Sequence, residues 1–152
     1  MLRKISLNKT DLNVSQLCLG TNMFGTAQPA DKAKGILDAF FAGGGNCIDT
    51  AHSYGDWIAN GPNAASERTL GELLKDRARG SFVLATKGGE FDYRKGDWAP
   101  RVNPADIQSD LSQSLELLGV DFIDLYWLHR DDARRPVNEI IDALIGHQQA
   151  GR

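Results

Sequence analysis

The sequence predicts an α/β fold built on a parallel sheet, and three observations lead there. Short apolar segments recur four times, each followed by a segment whose apolar residues are spaced by three and four. The run Phe82-Val83-Leu84-Ala85-Thr86 is apolar with little alternation, as a strand covered on both faces should be. Strands that alternate with helices pair in parallel through right-handed crossovers. Length sets the scale: a (β/α)8 barrel takes about 250 residues, and the 152 residues here hold about half of one.

The elements follow in order. Val14 to Leu19 is the first strand, and Gly20-Thr21-Asn22 turns the chain. The residues before Val14 have room for a short hairpin. An amphipathic helix from about Asp31 to Ala42 carries Ala33, Ile36, Leu37, Phe40 and Phe41 on one stripe, and Gly43-Gly44-Gly45 stops it. Asn46-Cys47-Ile48-Asp49 is a very short second strand. His52 to Ala65 is a loop rich in Gly, Asn and Pro. Ser66 is suited to cap the second helix, whose stripe is Leu70, Leu73 and Leu74. Phe82 to Thr86 is the third strand, and residues 88 to 102 form another long loop.

Asn103-Pro104 reads as a cap followed by a first-turn proline, with Asp106 favourable in that turn. Ile107, Leu111, Leu115 and Leu118 carry this helix to Gly119. Phe122 to Leu128 is the fourth strand. The last helix opens near Pro136, uses Ile140, Ile141, Leu144 and Ile145, and ends at Gly151-Arg152. No linker or low-complexity segment interrupts the pattern, so residues 1–152 read as a single domain.

Composition narrows the function. The chain has 17 Lys and Arg against 20 Asp and Glu, a net charge of −3, and a pI near 5.5. That balance argues against broad nucleic-acid binding. No apolar run approaches the ~20 residues of a membrane span. The first seven residues turn polar at Asn8-Lys9-Thr10-Asp11, without the apolar core of a secretory signal. Cys18 and Cys47 make neither a CxxC site nor a disulfide framework. The expectation is a cytoplasmic protein that binds neither nucleic acid nor membrane.

Parallel α/β folds meet their ligands at the carboxyl ends of the strands. The second strand ends at Asp49 and leads to Tyr54. The third leads into Lys87 and the fourth into His129. Neighbouring strands lie about 4.8 Å apart, so a carboxylate, a phenol, an ammonium and an imidazole should gather in one cluster. A phenol is a weak acid, and an adjacent ammonium stabilises its ionised form. Asp49 can hold Lys87 by an ion pair, and His129 can orient a substrate oxygen. Tyr54 is then fitted to give a proton to a carbonyl oxygen as hydride reaches the carbon. The hydride has to come from a cofactor, because no side chain supplies one.

These residues resemble the aldo-keto reductases, a bacterial-type member above all, over nearly the whole chain. Leu19-Gly20-Thr21 with Phe24-Gly25 looks like the family's first strand and turn. Ile48-Asp49-Thr50-Ala51 with Tyr54-Gly55 is similar to its aspartate–tyrosine motif, and Glu67-Arg68-Thr69-Leu70-Gly71 to the helix segment that follows. Ala85-Thr86-Lys87 and Leu125-Tyr126-Trp127-Leu128-His129 look like its lysine and histidine strands. The resemblance implies the (β/α)4 half of a TIM-type (β/α)8 barrel. It implies reduction of an aldehyde or ketone, with Tyr54 as proton donor and Asp49, Lys87 and His129 completing a tetrad. Gly20, Thr21 and Asp49 would lie at the nicotinamide end of NADPH, or of NADH.

The loop from Asp56 to Ala65 is longer than the tighter form of the motif. The chain reaches Arg152 where the fifth strand of such a barrel should begin. The family's Ser-Asn pair for the carboxamide, and its later basic residues for the adenosine phosphate, have no counterpart. The expected partners are a small carbonyl substrate and either a second copy or a complementary C-terminal half. Half a ring is expected to expose apolar inner-face side chains such as Val83, Ala85, Ile123 or Leu125, so an isolated active monomer is not expected.

Other readings compete for single residues. His52 reads as a loop residue near the site, His147 as a helix-surface or packing residue, and Cys18 and Cys47 as small buried hydrophobes. Trp57, Trp98 and Trp127 fit either substrate contact or loop packing. The stretch from Arg130 to Arg135 reads as a solvated charged loop. Two other functions are weighed: a metal-dependent barrel hydrolase using Asp49, His52 and His129, and a non-catalytic half-barrel. The first strand of such hydrolases often ends in an HxH pair, whereas Gly20-Thr21-Asn22 stands here.

Overall fold

The computed structural model describes residues 1–152. Two strands, β1 (Lys4–Ser6) and β2 (Asn13–Ser15), form an antiparallel hairpin with Ile5 opposite Val14. Four strands follow: β3 (Cys18–Gly20), β4 (Cys47–Asp49), β5 (Val83–Gly88) and β6 (Leu125–Leu128). They pair in parallel in the order β3-β4-β5-β6. The helices are α1 (Ala30–Ala42), α2 (Ala65–Leu74), α3 (Pro104–Leu118) and α4 (Val137–Gln149). Each follows one strand of the parallel sheet, so the architecture is (β/α)4. No helix is long and apolar enough to cross a membrane.

The main core lies between sheet and helices. It joins Ile48 and Leu84 of the strands to Leu37, Leu70, Leu111 and Leu118 of α1, α2 and α3. Helices α2 and α3 pack tightly at Gly71 of α2. A Cβ there would stand 2.2 Å from the backbone oxygen of Leu117 on α3. Only glycine lets the two helices meet at that distance. The other face of the sheet is partly closed by the hairpin, where Val14 packs with Cys47 and Val83.

Three expectations about the elements need correction. The single strand Val14–Leu19 is two strands in two sheets. The break is fixed by Ser15, whose N–H donates to Asn46 Oδ1 at 2.7 Å while its hydroxyl donates to Leu17 O. The fourth strand begins at Leu125, not Phe122. Asp124 caps the ladder by accepting from the N–H of Leu84 at 2.8 Å, and Phe122 lies under the guanidinium of Arg79. Ser66 does not cap α2; it is buried one residue inside the helix, after a left-handed Ala64. Asn103 does cap α3, accepting from the N–H of Asp106 at 2.9 Å.

The exposed inner face also differs from expectation. Val83 is covered by the hairpin, Ala85 is closed in, and Ile123 joins the main core. Trp127, 53% exposed, and Cys18 take the exposed positions instead. Cys18 pairs in register with the buried Cys47, and both are free thiols. On α4 only Ile140 is buried; Ile141 and Ile145 of the predicted stripe are exposed and line a groove with Leu144.

Candidate active site

The cluster expected at the carboxyl end of the sheet is assembled. Asp49 ends β4, the turn beginning at Thr50 brings up Tyr54, Lys87 lies in β5, and His129 follows β6. Asp49 pairs with Ala85 in register, so Lys87 sits two residues further along its strand. Its four-carbon stem reaches back. The ammonium donates to Asp49 Oδ2 at 2.6 Å, to the Thr50 carbonyl at 2.7 Å and to Tyr54 Oη at 2.9 Å. An ammonium has three donors and no acceptor. All three are used, and Tyr54 receives one, so the phenol's own proton is free to point elsewhere.

His129 meets Tyr54 edge-on, with ring centroids 5.7 Å apart. Burial pushes its imidazole below the ordinary range; the Glu90 carboxylate pulls it up, and the Lys87 and Arg130 cations push it down. Burial thus favours the neutral imidazole. Trp57 stands on another side of Tyr54, with centroids 6.2 Å apart. Trp98 packs edge-on against Phe91 and Tyr93. Residues Trp57, Ile58, Tyr93 and Trp98 line one open cleft from two loops.

The strand ends are pinned from behind by α2. Ser66 Oγ donates to the Thr21 carbonyl at 2.7 Å and lies 2.9 Å from the hydroxyls of both Thr21 and Thr50. Thr86, next to Lys87, donates to Glu67 Oε1 at 2.6 Å. Thr50, Ser66, Glu67 and Thr86 are fully buried. Two adjacent residues of α2 thus fasten the ends of β3, β4 and β5. In the sequence Glu67 shows only as part of the resembling motif, with no sign of this role beyond the polar pair Ser66-Glu67 immediately before the apolar Leu70 turn.

Burial pushes the Glu67 carboxyl well above the ordinary range, opposed chiefly by the Thr86 hydrogen bond. A carboxyl whose folded pKa is raised contributes stability at low pH, and that contribution is lost as pH rises from the unfolded value of about 4.3 through the folded one. Glu67→Gln is therefore expected to be more stable than wild type at pH 8. The advantage should shrink toward pH 5. Thermal melts of both proteins across that range check it; an advantage independent of pH would contradict it.

Gly20, Thr21 and Asp49 stand together at the ends of β3 and β4. Gly20 is in register with Asp49 and has no atom within 4 Å of where a Cβ would stand. Thr21 is buried and donates to the Asp49 carbonyl through both its N–H, at 3.0 Å, and its hydroxyl, at 2.9 Å. The open space at Gly20 beside Asp49 has room for a planar ring such as a nicotinamide, with Thr21 fastening the strand ends behind it.

Other residues lie elsewhere. His52 turns to α3, 3.4 Å from Gln113 Oε1 and 3.8 Å from Asp110 Oδ1. Asp49, His52 and His129 do not converge, and no three side chains of ligating type are grouped to hold a metal ion. His147 lines the groove on α4. Arg130 is not simply solvated, since its Nε donates to the buried Glu90 at 2.7 Å. Glu90 was missed in the sequence, where a charged residue in a glycine-rich loop gives no sign of burial.

Comparison with known proteins bears on the fold and the family. The family model "Aldo/keto reductase family" matches residues 16–152. The oxidoreductase YqkF of Bacillus subtilis is 32% identical over 99% of this chain and 46% of its own length. Norsolorinic acid reductase stcV of Emericella nidulans is 35% identical over 93% of this chain and 38% of its own. The solved structure of aldo-keto reductase AKR11C1 from Bacillus halodurans, in its holo form, superposes with a TM-score of 0.84 at 34% identity. That match covers 99% of this chain and 48% of the other. The chain spans less than half the length of each of these relatives, as the (β/α)4 half of a (β/α)8 barrel does. From the residues matched and the strands that carry them, the chain belongs to the aldo/keto reductase family of oxidoreductases.

Proposed function

We propose that this chain takes part in NADPH-dependent reduction of an aldehyde or ketone, NADH being the alternative donor, with Tyr54 as proton donor. The observation that carries the reading is the three-way bond of Lys87 to Asp49, Thr50 and Tyr54. A bound nicotinamide supplies the hydride. Lys87 donates to Tyr54 Oη, which leaves the phenol proton free for the carbonyl oxygen. As that proton leaves, the ammonium at 2.9 Å stabilises the phenolate left behind. Asp49 and the Thr50 carbonyl keep the ammonium aimed. His129, beside Tyr54, hydrogen-bonds the substrate oxygen and orients it. Gly20, Thr21 and Asp49 receive the nicotinamide end, and Trp57 and Trp98 offer apolar surface to the rest of the substrate.

A second reading concerns the unit that works. Residues 1–152 act as one half-barrel domain, and a complementary half or a second copy completes the cofactor site. It is favoured by the outer edges of β3 and β6, which pair with no further strand, and by the exposed Trp127, Ile141 and Ile145. Unpaired edges and exposed apolar residues favour association.

Fluorescence titration of the purified chain with NADPH tests both. Saturable binding that appears with self-association supports a rebuilt cofactor site. No binding to the chain alone at millimolar NADPH, or with any added half, would remove the reductase reading for this chain. A monodisperse monomer with full activity in the ultracentrifuge and in assay would remove the second reading.

A further inference from the structure

We propose that Glu90 is a positioning residue for His129, its buried carboxylate holding the imidazole beside Tyr54 and fixing which ring nitrogen carries the proton. Glu90 lies two residues beyond β5 and is only 6% exposed. Carboxylates are almost never buried unless paired. One oxygen, Oε1, accepts from Arg130 Nε at 2.7 Å and from the N–H of Phe91 at 3.0 Å. The other, Oε2, faces Nε2 of His129 at 3.6 Å. The Arg130 guanidinium lies 4.6 Å from the Phe91 ring centroid, which fixes the carboxylate from its far side.

No hydrogen bond of its own settles the His129 tautomer. Its Nδ1 is buried with no hydrogen bond, and 3.6 Å from Nε2 to Glu90 is beyond hydrogen-bond range. The negative charge of Oε2 facing Nε2 favours the tautomer that carries its proton there, and with no hydrogen bond to Glu90 that N–H stays available to the substrate oxygen. The backbone couples the two segments as well: the His129 N–H donates to the Gly88 carbonyl at 2.8 Å. The start of the loop that carries Glu90 is thus tied to the end of β6.

The charged and titratable groups facing His129 are Glu90 of that loop, Lys87 of β5, Arg130 beyond β6 and Asp49 of β4, with Tyr54 against its ring. Glu90 and Asp49 favour the imidazolium, while Lys87 and Arg130 oppose it. Glu90 has the largest charge effect of the four. Removing it should be felt at His129 before any other imidazole.

This inference rests on His129 being the imidazole of the proposed site, but its test needs no turnover. The chain has three histidines, His52, His129 and His147, so nitrogen-edited NMR resolves each, with His129→Asn giving the assignment. In Glu90→Gln the His129 titration midpoint is expected to fall by about one pH unit. That is the low end for an opposite charge within about 4–6 Å, because Arg130 shares the carboxylate. The fraction of its neutral form protonated at Nε2 should fall with it. Glu90→Asp should restore part of both, and Arg130→Gln should raise the midpoint.

A folded Glu90→Gln protein with an unchanged His129 midpoint and tautomer would overturn the proposal. If Glu90→Gln does not fold, Arg130→Gln decides, and an unchanged midpoint there overturns it. A chain that shows the coupling yet does not reduce carbonyls would count against the proposed function alone. A chain that reduces carbonyls without the coupling would count against Glu90 alone.

Discussion

Tyr54→Phe is expected to lower carbonyl turnover by about 10²–10⁴-fold, the range for removing a positioned general acid, with NADPH affinity unchanged. The substitution deletes one oxygen. Lys87 keeps its bonds to Asp49 at 2.6 Å and Thr50 at 2.7 Å, so the strand ends stay tied. The ring keeps its edge contacts with His129 and Trp57. Steady-state rates and cofactor titration on the same preparation check this. A loss of only a few-fold would mean that the proton reaches the carbonyl by another route. Lys87→Met should cost turnover too, but also stability, since it strips a partly buried carboxylate and a carbonyl of their shared donor.

The largest effect on the fold is expected at Gly71. Alanine in a helix is ordinarily better than glycine by about 1 kcal/mol. Here the added Cβ would meet the Leu117 carbonyl oxygen at 2.2 Å and the Leu118 Cα at 3.1 Å. Those are backbone atoms, so one helix has to move. Overpacking typically costs about 1–3 kcal/mol, occasionally more. Gly71→Ala should therefore lower stability by about 2 kcal/mol or more in a urea titration. Because α2 also carries Ser66 and Glu67, the same shift should loosen Thr50 and Thr86 beside Asp49 and Lys87. Unchanged stability would mean that the helices separate freely.

Much of this was legible in the sequence, for a definite reason. Asp49, Lys87 and His129 are placed by one topological rule: each stands at or just past the carboxyl end of a parallel strand. Strand type and order therefore fix their neighbourhood. Tyr54 follows because a short turn leaves it little freedom. What the sequence hid depends on contacts between distant segments. Ser66 has the composition of a helix cap, but its hydroxyl is spent on Thr21 and Thr50, which only the folded chain brings near. Asp124 reads as a strand residue until it takes the ladder donor of Leu84. The burial of Glu90 requires the loop to fold onto Arg130. Cys18 reads as buried because its neighbours are apolar, yet β3 is an edge strand here.

The central claim is that the Lys87–Tyr54 pair serves hydride transfer to a carbonyl. It is tested most directly by following NADPH oxidation by the wild-type chain, in the assembly that binds NADPH, with and without an aldehyde. The predicted result is oxidation that requires the aldehyde and is proportional to bound chain. Saturable NADPH binding with no aldehyde- or ketone-dependent oxidation would contradict it.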